Sequence, residues 1–303
     1  MNTEKKVGFI TITKKDIIVV LSIIGIACIA FIVYLLIRFF NYRKAVKLFE
    51  DGEYLKAYEA FDALKEYKDS SEKIAEIKEL LLQNATVGSN VYFGYYYIGD
   101  EKDNEKKGDI LWKVLEIKDG KALLITTQNV YYSMWGQYDS YDKMPFWEDS
   151  MLRNYLNGNF YLNAFSDEER AKIVETVVKP DEDTRSDMFA DALGKYDRPK
   201  ENETVDKVFV LSISEAMKYF PTDESRKSSP TYYTVRCNKY MEPGLFHTTD
   251  LIHDECYSWW LRNKIDTKYE EHFNCYVTAT GNIMRANSGN HAVRPVIWIT
   301  LDD

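Results

Sequence analysis

The apolar and polar positions fall into three regimes along the chain. From Ile17 to Ile37 run 21 consecutive uncharged, mostly apolar residues. At 1.5 Å per helical residue they cover roughly 30 Å, the thickness of a bilayer's hydrocarbon core. From Tyr42 to Leu82 the apolar positions recur at helical spacing: Ala45, Leu48, Phe49; Tyr54, Ala57, Tyr58, Phe61, Leu64; Ile74, Ile77, Leu80, Leu81. Three short helices are expected there, broken at Gly52 and at Tyr67-Lys68-Asp69-Ser70-Ser71, with a Ser as N-cap of the third. From Val87 the texture becomes strand-like. Val91–Ile98, Ile110–Ile117 and Ala122–Thr127 read as strands, the last two joined through Asp119-Gly120 as a hairpin.

Helices are expected at Asp149–Leu156 and Ser166–Val174, the second opened by the capping-box spacing Ser166-x-x-Glu169. Ser212-x-x-Glu215 repeats that signature after a strand at Lys207–Leu211, and the last third returns to strands at Tyr257–Arg262, Tyr276–Ile283 and Val293–Thr300. Lys179–Glu203 lacks periodicity and reads as a long surface loop. The domain is therefore α+β, with strands at both of its sequence ends. The expected organisation is a tail at 1–16, a transmembrane helix at 17–40, a helical stalk at 42–83 and an α+β domain at 88–303.

A cleavable signal peptide has a shorter apolar run and a small-residue cleavage site, whereas this run ends Leu35-Leu36-Ile37-Arg38-Phe39-Phe40. An uncleaved single-pass anchor at Ile17 to Ile37 in the cell membrane is expected. Basic residues do not orient it, because Lys5, Lys6, Lys14 and Lys15 are balanced by Arg38, Arg43, Lys44 and Lys47. A short leading tail before a long domain is the usual layout of a signal anchor, which puts the C-terminal domain outside the cell. Even with the run included, the whole chain's mean hydropathy of -0.40 and 29% charged residues describe an ordinary water-soluble polypeptide.

A net charge of -9 argues against a nucleic-acid partner. Cys28 lies in the apolar run and Cys237, Cys256 and Cys275 in the domain, an odd number that makes no disulfide framework. His253-x-x-Cys256 and His272-x-x-Cys275 have zinc-like spacing. A simple hairpin of the flanking strands puts Cys275 opposite about Leu261, roughly 17 Å from Cys256, so uncommitted thiols are expected in place of a metal or a disulfide.

Several words resemble an uncharacterised extracellular domain family of low-GC Gram-positive bacteria. They are Trp112-Lys113-Val114-Leu115; Trp147-x-x-Ser150-x-x-Arg153-x-Tyr155-Leu156-Asn157-x-x-Phe160 with Ala164-Phe165; Thr204-x-Asp206-Lys207-Val208-Phe209-x-Leu211-Ser212; Trp259-Trp260-Leu261-Arg262; Gly281; and Val293-Arg294-Pro295. Asn263 and Ala292 stand where the resemblance implies Ser and Gly. The resemblance implies a C-type-lectin-like fold related to formylglycine-generating enzyme, behind a membrane anchor and a stalk. Ala45 to Leu64 resembles one tetratricopeptide repeat, too little for a superhelix.

The resemblance carries fold and not activity. A copper oxidase needs a close cysteine pair, and here no two are nearer than 19 residues. A calcium lectin needs a Glu-Pro-Asn-like word, approached only by Glu242-Pro243-Gly244. No catalytic residue, metal or cofactor is implied. Trp112, Trp147, Trp259 and Trp260 are expected in the core, with Arg153, Arg262 and Arg294 in structural pairing. Ligand contacts are expected on the late loops, which carry His247, Asp250, His253, Asn263, Asn287 and His291. Two readings follow: a non-catalytic surface module for a protein, peptide or glycan, and a cryptic enzyme on a formylglycine-generating-enzyme-like scaffold.

Overall fold

The computed structural model describes residues 14–136, 145–181, 201–241, 252–253, 255–266, 272–286 and 289–301. The chain divides into two compact units, Met1–Leu80 and Leu81–Asp303.

In the first unit, α1 runs unbroken from Lys14 to Glu50. The span and the first stalk helix, expected as separate helices, are thus one, since no Gly or Pro interrupts 38–50. Every described side chain of the apolar run is exposed, and the helix is long and apolar enough to cross a membrane. Gly52, at φ +76°, turns the chain into α2 (Tyr54–Asp62), whose Ala57 and Phe61 are buried and whose Phe61 ring meets Tyr42 edge-on at 6.0 Å. α3 (Ser70–Gln83) follows. Ser70 is its first residue and its hydroxyl donates to the Tyr67 carbonyl, so it does not act as the expected N-cap acceptor.

The second unit is mixed α+β. β1 (Asn90–Tyr97), β2 (Lys107–Lys118), β3 (Lys121–Thr126) and the last strand, β13 (Val296–Thr300), form one antiparallel sheet in that order, uniting the domain's two sequence ends. The β2–β3 turn places Asp119 at φ 51° and Gly120 at φ 69°, with Lys118 facing Lys121. That is a two-residue primed turn, which matches the twist of the flanking strands.

β4 (Tyr131–Met134) leads to a 3-10 turn (Trp147–Asp149), α4 (Met151–Tyr155), a π turn (Leu156–Phe160) and α5 (Tyr161–Ala164). Ser150 caps α4 by accepting from the Arg153 N–H at 3.0 Å. α6 (Asp167–Lys172) opens with the expected Ser166/Glu169 capping box. β5 (Thr176–Val178) and β6 (Thr204–Asp206) then pair antiparallel, so the two described ends of the predicted long loop meet at a short ladder. α7 (Ile213–Tyr219) carries the Ser212/Glu215 box, and α8 (Asp223–Arg226) and α9 (Tyr232–Met241) follow.

The remaining strands are β7 (Ile252–His253), β8 (Cys256–Tyr257), β9 (Trp259–Asp266), β10 (His272–Val277), β11 (Ile283–Ala286) and β12 (Asn290–Val293). A curled sheet takes the order β11-β10-β9-β12-β4, antiparallel except where β12 meets β9. Trp112, Trp135, Trp259 and Trp260 are fully buried in the core.

Two strand expectations are corrected. Lys207–Leu211 is no strand: Asn157 Oδ1 takes the N–H groups of Lys207 and Val208, leaving a single bridge from Phe209 to Val296. Tyr276–Ile283 is broken into β10 and β11 by a turn closed by Thr278 N–H to Asn282 O at 2.7 Å. Gly281 makes that turn at φ +92°, where a Cβ would lie 1.8 Å from the Asp223 carbonyl oxygen.

Candidate functional site

A narrow crevice with only about 10 Å³ of free space, room for about one water molecule, lies where four segments converge. Phe146, Trp147 and Glu148 come from the 3-10 turn, Val178 to Asp181 from the end of β5, Glu201 and Asn202 from the approach to β6, and Arg262 and Asn263 from β9.

Its walls are held by hydrogen bonds from beneath. The fully buried Asp206 carboxylate accepts from Trp147 Nε1 at 2.8 Å, Arg153 Nε at 2.6 Å and Thr204 Oγ1 at 2.6 Å. Asn157 Nδ2 adds a longer contact at 3.3 Å and bonds the Val208 carbonyl at 2.9 Å. Arg262 reaches both oxygens of Glu215 and the Val210 carbonyl. Asn263 Oδ1 accepts the Ile213 N–H at 2.7 Å, so β9 satisfies one of the orphan donors that open α7. Burial works against ionisation of Asp181, but donation from the Ser214 N–H and hydroxyl, Asn263 and Ser212 outweighs it and holds the carboxyl below its ordinary range. Asp181 is thus a fixed acceptor.

Trp147 belongs to a cluster of tilted aromatic rings. Trp147 lies 5.8 Å from Trp135, which lies 5.4 Å from Trp260. The His291 ring stacks on Tyr276 at 3.9 Å and meets Trp260 edge-on at 4.3 Å. Its Nδ1 pairs with Ser258 Oγ at 2.7 Å, and burial lowers its pKa to about 3. At the rim, the Lys264 ammonium sits 4.0 Å from the Phe146 ring.

The family model for a domain of unknown function, DUF6273, matches residues 119–301, more than half of the 303-residue chain. The chain belongs to the DUF6273 family. No curated protein and no solved structure matches it. The DUF6273 match begins inside the β2–β3 turn, and β1 and β2 complete its first sheet from outside the matched segment. Every cleft residue lies within the DUF6273 match.

Of the candidate ligand residues, His247, Asp250 and Asn287 lie outside the described residues, and His253 is described only as backbone in β7. Asn263 and His291 are corrected in placement: neither is on a loop. Asn263 is in β9 and lines the cleft, while His291 is in β12, buried between β9 and β4, and does not line it. Trp112, Trp147, Trp259, Trp260, Arg262 and Arg294 are buried, and Arg153 is partly so. Arg294 lies 5.4 Å from the Trp259 ring and donates to the Thr126 carbonyl at 2.8 Å. Sequence reasoning did not single out Glu148, Asp181 or Glu201; Glu148 and Glu201 adjoin the Trp147 and Thr204-x-Asp206 words, whereas Asp181 carries no local signal. Among the described residues no group of three or more His, Cys, Asp or Glu side chains is placed to hold a metal, and none of the cysteines is in a disulfide.

Proposed function

We propose that this chain is a membrane-anchored, non-catalytic cell-surface module that binds a peptide, protein or glycan ligand on the surface around the crevice lined by Arg262 and Asn263. One observation carries the reading. The crevice brings an aromatic ring at Phe146 together with hydrogen-bonding groups at Glu148, Asp181, Glu201 and Asn202. Such a surface suits hydroxyl- and amine-bearing ligands. An acid–base enzyme instead needs a group tuned near its working pH. The one histidine whose side chain is described, His291, is driven by burial down to about 3, away from neutrality.

The fold reading that accompanies it is C-type-lectin-like and related to formylglycine-generating enzyme, supported by the antiparallel sheet β1-β2-β3-β13 that joins both ends of the domain. The α1–α2 hairpin supports a tetratricopeptide-like stalk, and the exposed apolar run of α1 supports a single-pass anchor; placing the domain outside the cell rests on the short tail ahead of the run.

The test is capture of peptide and glycan arrays by the full chain in nanodiscs, wild type against Glu201→Ala/Asn202→Ala. Loss of a wild-type signal in a variant that melts normally supports the cleft. Equal capture removes the site from it. Protease shaving of intact cells tests orientation, and a C-terminal domain protected until lysis overturns the extracellular assignment.

A further inference from the structure

The apolar run ends at Ile37 but α1 continues to Glu50, and the chain folds back onto the turn of helix just beyond the run. Arg38 Nη2 donates to the Leu64 carbonyl, and the Arg38 guanidinium lies 4.7 Å from the Tyr67 ring. The Lys68 ammonium sits 4.1 Å from the Tyr42 ring and 5.2 Å from that of Phe39. Tyr42 in turn donates to Asp69 at 2.5 Å. Residues 64–69 are therefore fastened at the height of residues 38–42. Lys65 and Lys68 both take left-handed backbone, at φ 55° and 54°, an uncommon conformation for Lys that a tight surface turn maintains.

If residues 17–37 span the bilayer, that height is its headgroup layer. Phe39 and Phe40 are exposed there, as are Arg43, Lys44, Lys65 and Lys68. The acidic side chains on the same segments are Asp62, Glu66 and Asp69, outnumbered by Arg38, Arg43, Lys44, Lys47, Lys65 and Lys68, which leaves a cationic excess. Aromatic rings at the acyl boundary with cations just above them match a surface of anionic lipid.

We propose that the turn after α2, together with the α1 segment 38–47, forms a binding site for anionic phospholipid headgroups. Phe39 and Phe40 enter the acyl boundary, and Arg43, Lys44 and Lys65 meet the phosphates. The site rests on the single-pass reading above, and it holds for whichever leaflet faces the stalk.

The test uses the full chain reconstituted into vesicles of phosphatidylcholine alone or mixed with phosphatidylglycerol, then extracted and scored for co-purifying lipid by native mass spectrometry. Wild type should retain phosphatidylglycerol over phosphatidylcholine by about tenfold or more, the scale expected for several cations at an anionic surface. Arg43→Gln/Lys44→Gln/Lys65→Gln should lose most of that preference with helicity intact, while the charge-keeping Arg43→Lys/Lys65→Arg should retain it. Absence of preference in wild type, an unchanged preference in the Gln variant, or displacement by millimolar inorganic phosphate would overturn the site. An alkaline carbonate wash separates the two failures: a chain stripped from neutral vesicles sinks the anchor, whereas one that stays without lipid preference sinks only the headgroup site.

Discussion

The Trp147 indole N–H donates to the Asp206 carboxylate across 2.8 Å, joining residues 59 positions apart and tying the cleft's first wall to the strand that leads out of its second. Arg153 and Thr204 converge on the same carboxylate. Asp206→Ala would strip a partly buried guanidinium of its counter-ion, leaving it only the Glu148 and Val205 carbonyls, and would leave a buried indole N–H unpaired. The expected cost is about 3 kcal/mol, at the lower end for breaking a buried pair because Arg153 retains some access to water. A urea midpoint that drops with unchanged slope checks it, and Asp206→Asn should fall between the two.

Trp260 is fully buried against Trp135, Tyr276 and His291, with its Nε1 on the Ser133 carbonyl. Trp260→Ala removes a large aromatic volume and orphans that carbonyl, for an expected loss of about 3–5 kcal/mol. Thermal melting of the purified chain measures it, and an unchanged midpoint would move the ring to the surface.

His291 gives a pH signature. Its folded pKa of about 3 lies below the ordinary 6.5, so between these values the unfolded chain holds a proton that the folded chain lacks. Its stabilising contribution is complete above pH 6.5 and is lost as pH falls toward 3, with a slope of at most about 1.4 kcal/mol per pH unit. His291→Gln should flatten the fall in melting temperature between neutral and mildly acid pH. An identical pH profile in wild type and variant would place this ring in water.

Gly281 is required by contact as well as by backbone conformation. Its carbonyl accepts from Arg226 Nε at 2.7 Å while its Cα faces the Asp223 backbone. Gly281→Ala forces the β10–β11 turn and the start of α8 apart, with an expected cost of about 2 kcal/mol or more. Gly158, where an added Cβ meets nothing within 4 Å, is the control, and Gly158→Ala should leave stability within about 1 kcal/mol of wild type.

What the sequence by itself determined was local in its physics. The length of the apolar run, the Asp119-Gly120 turn, the Ser166 and Ser212 capping boxes and the breaking power of Gly52 each act over a few residues, so spacing alone reveals them. Continuity of α1 through residue 38 was legible in the same way, in the absence of a breaker, and was missed because polarity changes there while helix propensity does not. The Trp and Arg words marked residues that matter, but not what they touch. Only the tertiary structure decided that Asp206 is the meeting point of Trp147, Arg153 and Thr204, that Asn263 caps a helix and that His291 is packed between rings. It alone brought Glu148, Asp181 and Glu201 to one cleft. Those relations depend on pairings such as β12 beside β9, whose strands are far apart in sequence, and no local periodicity encodes which distant strand supplies the neighbour.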